Sequence, residues 1–131
     1  MSELLTFDRF IPGNRMGVYT LAIDDELLAL WQKLYPHDTC DGQTLPAGFA
    51  TVMMMRAYMQ ILSPRPPGNI HARQKLELHA PIFVGESITV EMTCASKELR
   101  RERRYVEIEV SAQGIDGRKI FSGLITLIWA A

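Results

Sequence analysis

The chain lacks most of the features that mark special protein classes. No apolar run approaches the roughly 18 residues that a membrane-spanning helix needs, so no membrane partner is expected. There are only two cysteines, Cys40 and Cys94, and they lie far apart. Two free thiols fit that spacing better than a disulfide staple. Neither sign of charge is in excess: Lys plus Arg is 14 and Asp plus Glu is 15, for a net charge of -1. The isoelectric point near 6.3 gives no global case for nucleic acid or an anionic surface. Repeats and low-complexity tracts are absent, and proline clusters only once, in Ser63-Pro64-Arg65-Pro66-Pro67-Gly68, a stiff loop. The first ten residues carry acids early and have no basic stretch leading into an apolar one. No secretory signal is expected there, and a cytoplasmic location is. What remains is 131 residues, 47% hydrophobic and 22% charged. That is ordinary globular composition for one domain, taken as residues 1–131.

Several elements are legible. Gly17 to Ile23 reads as a first strand. Asp24 and Asp25 offer an N-cap to a short helix that Pro36 stops, with Leu27, Leu28, Trp31 and Leu34 at helical spacing. Residues 37–46 are polar and turn-prone. Ala47 to Leu62 is apolar nearly all round, with Arg56 its only charge, which predicts a helix buried on most sides. Beyond Asn69 the period changes to two. Leu76 and Leu78 alternate with Glu77 and His79. Ile88, Val90, Met92 and Cys94 share one face, and so do Val106, Ile108, Val110 and Ala112. Asp116-Gly117 signals a tight hairpin. Lys119 to Trp129 is apolar on both faces, as a central strand would be. The expected fold is α+β, a curved antiparallel sheet with strands in hairpin succession, wrapped around one long helix that hides its whole circumference.

Three segments resemble a known family. Leu45-Pro46-Ala47-Gly48-Phe49-Ala50 looks like the turn that opens the central helix of the hotdog fold. Leu78-His79-Ala80-Pro81-Ile82-Phe83-Val84-Gly85-Glu86-Ser87-Ile88 is similar to the aromatic-x-x-Pro to Gly-acid segment of the MaoC-like acyl-thioester hydratases and dehydratases. Leucine stands in the usual aromatic position. Ile120 to Trp129 resembles that family's last strand. The resemblance implies acyl groups carried on coenzyme A or acyl carrier protein as substrate, with no further cofactor and no metal. It also implies a homodimer or higher oligomer, or a pairing with a catalytic hotdog partner.

Enoyl-thioester hydration needs a group to activate water, a group to handle the proton at C2, and N–H donors for the thioester oxygen. The start of the long helix could supply the donors from Ala47, Gly48 and Phe49, with Gly48 allowing close approach. The alternative is that Gly48 only lets the helix start tightly against the sheet. The family's Asp-x-Asn-Pro-x-His segment is not in the chain. The acid–base candidates are therefore His37, Asp38 and Asp41, in a stretch that could equally be a turn-forming loop. Cys40 lies there too and reads as an incidental thiol.

His79 reads as a solvated strand histidine, or one facing an acyl tunnel or a neighbouring subunit. Arg56 calls for a carboxylate such as Glu86 or a loop aspartate, or else a substrate carboxylate or phosphate. Arg103 and Arg104, in a cluster with Arg100 and Arg101, could hold an anion of the carrier, and Arg65 has a weaker claim. The other reading is a solvated hairpin turn. Met53, Met54, Met55 and Met59 are expected mostly in the core, with one or two lining an acyl tunnel.

Three functions stay open at this point. They are a hydratase or dehydratase, a non-catalytic hotdog subunit or acyl-binding module, and an acyl thioesterase.

Overall fold

A computed structural model describes residues 3–37 and 43–131. Its elements are β1 (Arg15–Ala22), α1 (Asp25–Leu34), β2 (Thr44–Leu45), α2 (Phe49–Ile61), β3 (Ile70–Leu78), β4 (Ile82–Phe83), β5 (Ser87–Arg100), β6 (Arg103–Gln113) and β7 (Lys119–Trp129). Five strands form one antiparallel sheet in the order β1-β5-β6-β7-β3. The very short β2 and β4 pair separately, Thr44 opposite Phe83 and Leu45 opposite Ile82.

The alternating residues behave as the period predicts. Ile88, Val90, Met92, Cys94, Val106, Ile108, Val110 and Ala112 are all buried, and they meet Met53, Met54 and Ala57 of α2. Strand β7 lies inside the sheet between β6 and β3, as its two apolar faces require. Asp116 and Gly117 both have positive φ, +55° and +74°, but they do not make a two-residue hairpin turn: residues 114–118 join β6 to β7, with a 3-10 turn at Ile115–Gly117 and the Gly114 N–H on the Arg118 carbonyl at 2.8 Å.

Three further expectations need correction. The strands are not in simple hairpin succession. β3 crosses to the far edge and pairs with β7, so only β5–β6 and β6–β7 are hairpins. Helix α2 does not hide its whole circumference: Arg56, Met59 and Gln60 are exposed, and Thr51, Val52 and Met55 are half-buried. An all-apolar sequence cannot say which face the sheet fails to reach. In α1, Leu28 and Trp31 are buried but Leu34 is exposed, because the helix ends there, ahead of Pro36. Its N-cap is Asp24, whose carboxylate accepts from the Leu27 N–H at 2.9 Å. No helix among the described residues is long and apolar enough to cross a membrane.

Candidate functional site

Helix α2 starts without a capping side chain. Gly48 is its N-cap, with no side-chain hydrogen bond, and the first turn contains no acid. The Phe49 N–H donates to the Pro46 carbonyl at 3.0 Å, the Ala50 N–H to Ala47 at 3.1 Å and the Thr51 N–H to Gly48 at 3.2 Å. The N–H groups of Ala47 and Gly48, both exposed residues, have no partner among the described residues. Of the three expected donors, Phe49 is therefore already committed to its own turn, and its ring is buried. Ala47 and Gly48 remain open at the positive end of the helix.

Among the described residues nothing demands glycine at position 48. Its φ is -59°, and a Cβ there would meet the Trp31 ring at 3.6 Å, an ordinary contact. Trp31 comes from α1 and packs edge-on against Phe49, with ring centroids 5.5 Å apart. Helix α1 thus roofs the start of α2.

Two cavities adjoin this point. One of about 330 Å³ includes Leu45, Ala47, Leu78, His79 and Pro81 in its walls. The other is a groove of about 550 Å³ along the exposed face of α2, walled by Tyr19, Val52, Met55, Arg56 and Met59. The lining of the groove on α2 begins at Thr51 and Val52, and the spacing of Gly48, Val52, Met55 and Met59 puts Gly48 on the same helical stripe one turn before it. Among the described residues, no carboxylate lines either cavity.

The walls are fixed by one ion pair. Glu86 is buried and takes the Phe83 N–H at 2.8 Å and the Arg118 guanidinium at 2.5 Å. Arg118 also donates to the Pro81 carbonyl at 2.9 Å and lies over the Phe83 ring. Burial pushes the Glu86 carboxyl up, but the Phe83 N–H and Arg118 outweigh it and leave the pKa below the ordinary 4.5. Gly114 makes room for this carboxylate, since a Cβ there would stand 2.5 Å from its Oε2. The pair ties the β6–β7 hairpin to β4, and β4 pairs with β2, which leads into α2.

The sequence candidates scatter. His37 is exposed in the turn after α1. Asp38, Cys40 and Asp41 lie outside the described residues. Arg56 does not pair with Glu86, which belongs to Arg118. It has no carboxylate partner among the described residues and lies exposed on the groove. Arg65 is engaged by the fold: its guanidinium donates to the Met59 and Leu62 carbonyls at 3.1 and 2.9 Å and faces the Tyr58 ring, capping the end of α2.

Arg103 and Arg104 sit at the tip of the β5–β6 hairpin, at the end of the sheet opposite the α2 start. Thirteen steps of β5, roughly 40 Å, separate Ser87 from Arg100. Arg104 donates to the Ala130 carbonyl at 3.1 Å, and Arg100 stacks over Tyr105. Met53 and Met54 are core residues, while Met55 and Met59 line the groove.

The sequence predicts a solvated histidine at position 79. It is exposed, yet its Nε2 is 2.8 Å from Ser122 Oγ, and the residue lines the cavity that holds Ala47. No sequence signal joins residues 79 and 122. The β3–β7 register, Glu77 opposite Ser122, brings them together. Burial raises the pKa of the Cys94 thiol, so it stays protonated and inert in the core.

No family sequence model matches the chain, and no curated protein sequence matches it. Solved structures do. The (R)-hydratase PhaJ1 from Pseudomonas aeruginosa superposes with a TM-score of 0.76 at 17% identity, over 95% of this chain and 84% of that one. A MaoC-like dehydratase from Rhodospirillum rubrum gives 0.77 at 15% identity, over 97% and 98%. The HadBC (3R-hydroxyacyl-ACP dehydratase) complex from Mycobacterium tuberculosis gives 0.71 at 16% identity, over 90% and 96%. At these identities the likeness establishes shape. With its curved five-stranded sheet and the helix packed within it, the chain is a hotdog fold of the form seen in MaoC-like hydratases and dehydratases.

Proposed function

We propose that this chain binds acyl groups carried as thioesters on coenzyme A or acyl carrier protein, within a hydratase or dehydratase. One observation carries the reading: an apolar groove lies along a helix whose start, one turn away, has no side-chain cap and two N–H groups without a partner among the described residues. The thioester oxygen would take the Ala47 and Gly48 N–H groups, whose partial positive charge favours the enolate-like state of hydration or dehydration. The acyl chain would lie along Val52, Met55 and Met59. The glycine at 48, which the fold itself does not require, leaves space for that approach. The fold shared with the (R)-hydratase and the dehydratases supports the same substrate class.

The second reading, a substrate-binding subunit for a catalytic partner, is favoured by the lack of any carboxylate on either cavity among the described residues. In that case the acid–base groups come from a second hotdog chain. The free edge of β3, with Ile70 and Leu78 half exposed, is the place for a second chain, identical or not, to pair. If the chain acts alone, His79, His37, Asp38 and Asp41 are the groups to supply the protons.

The test uses the purified chain with trans-2-enoyl coenzyme A thioesters of several lengths. Enoyl absorbance and free thiol are followed together, and binding is followed by calorimetry. Binding with loss of absorbance and no thiol supports the hydratase. Binding without turnover supports the subunit. Thiol release supports a thioesterase instead. No binding at any length overturns the acyl-thioester reading.

A further inference from the structure

We propose that Arg56 selects acyl thioesters whose chain ends in a carboxylate, an inference that rests on the groove of α2 being the acyl site. Arg56 is the only charged residue of α2. It stands on an otherwise apolar wall among Val52, Met55 and Met59, with Tyr19 across from it. Among the described residues no carboxylate pairs with it, although Glu86 and Glu91 each hold another arginine. The other two polar walls, Thr51 and Gln60, are neutral. Among the described residues the groove therefore carries one unneutralised cation and no anion.

A plain alkyl chain would lie against that guanidinium and shed its water without replacing it, which is unfavourable. A carboxylate would instead take two parallel N–H bonds from the planar fork.

The spacing sets the length. Arg56 lies eight residues beyond Gly48, roughly 12 Å along the helix axis. Helical side chains lean toward the N-terminus, which shortens the span to the guanidinium. At about 1.2 Å per extended bond, a chain of about five to nine bonds joins a thioester carbon at Gly48 to a carboxylate at Arg56. That corresponds to thioesters of linear dicarboxylic acids between adipic and sebacic.

The experiment compares matched pairs by calorimetry on the whole chain: hexanoyl- against adipoyl-coenzyme A, octanoyl- against suberoyl-coenzyme A, and free coenzyme A. The same set is run on Arg56→Gln and Arg56→Lys, with thermal unfolding to confirm that each variant is folded. The expected result is about tenfold or tighter binding of the carboxylated partner. That preference falls to near one in Arg56→Gln and is partly kept in Arg56→Lys. Equal binding of the neutral and carboxylated members overturns the inference and leaves the acyl-thioester reading standing. Free coenzyme A that loses as much affinity in Arg56→Gln as suberoyl-coenzyme A does would assign Arg56 to a carrier phosphate and overturn it as well. No binding of any thioester overturns both.

Discussion

The two ends of α2 are finished in opposite ways. At the C-terminal end the Leu62 N–H returns to the Tyr58 carbonyl. Arg65 closes the Met59 and Leu62 carbonyls and packs its guanidinium on Tyr58. At the N-terminal end no side chain caps the helix, and two N–H groups face outward from exposed residues. The same contrast separates two arginines. Arg65 is spent on the fold, whereas Arg56, two turns into the helix, has no carboxylate partner among the described residues.

That comparison can be broken at its support. Replacing Glu86 by Gln should cost about 2–3 kcal/mol, because it leaves Arg118 facing a neutral group across a partly buried contact. A urea midpoint unchanged within error would show that the pair does not hold the mouth. The pH dependence follows from the lowered pKa of Glu86. The pair's contribution is fully present above the ordinary 4.5 and is lost as pH falls through the lower folded value. The stability gap between wild type and Glu86→Gln should therefore be constant near neutrality and close only in acid.

The capped end comes next. Arg65→Ala should lose about 1–2 kcal/mol, from two charge-assisted bonds and the favourable end of the helix dipole. Arg56→Ala should stay within about 0.5 kcal/mol, as an exposed residue with no partner does. Equal losses for the two would erase the distinction between them.

The far hairpin supplies a control. Its two turn residues, Arg101 and Glu102, both have positive φ, +52° and +65°, where asparagine and glycine are the comfortable choice. The double change to Asn-Gly should stabilise by about 1 kcal/mol, seen as a rise in melting temperature. It should leave acyl-coenzyme A affinity where it was, since the turn lies at the opposite end of the sheet. A fall in affinity would bring the arginine tip back into the site.

The smallest stability effect should come with a large loss of affinity. Gly48→Asp puts a carboxylate at the open end and should gain only a few tenths of a kcal/mol from the helix dipole, because the Ala50 and Thr51 N–H groups that a cap would take are already bonded to Ala47 and Gly48. The same carboxylate occupies the space over the free N–H groups and repels an oxyanion. Acyl-coenzyme A binding should weaken at least tenfold by calorimetry, and retained binding would remove the helix start from the site.

The sequence by itself determined the elements. Period-two runs such as Ile88 to Cys94 and Val106 to Ala112 specify a half-buried strand, because only one face can reach a core. A stretch as apolar as Phe49 to Ile61 has to bury at least one face, here through Met53, Met54 and Ala57. Asp24 caps α1 for a local reason that needs no distant residue.

What the sequence did not determine is which elements are neighbours. The crossing of β3 to β7, the meeting of His79 with Ser122, the choice of Arg118 rather than Arg56 for Glu86, and the roof that Trp31 forms over Gly48 all join residues far apart along the chain. Such contacts are set by register and by how helices settle on a curved sheet, which no local pattern encodes. The open start of α2 is the clearest instance. Pro46-Ala47-Gly48 shows that a helix can begin there. Only the folded chain shows that none of the described residues closes it, because an open donor is defined by the absence of every such partner at once.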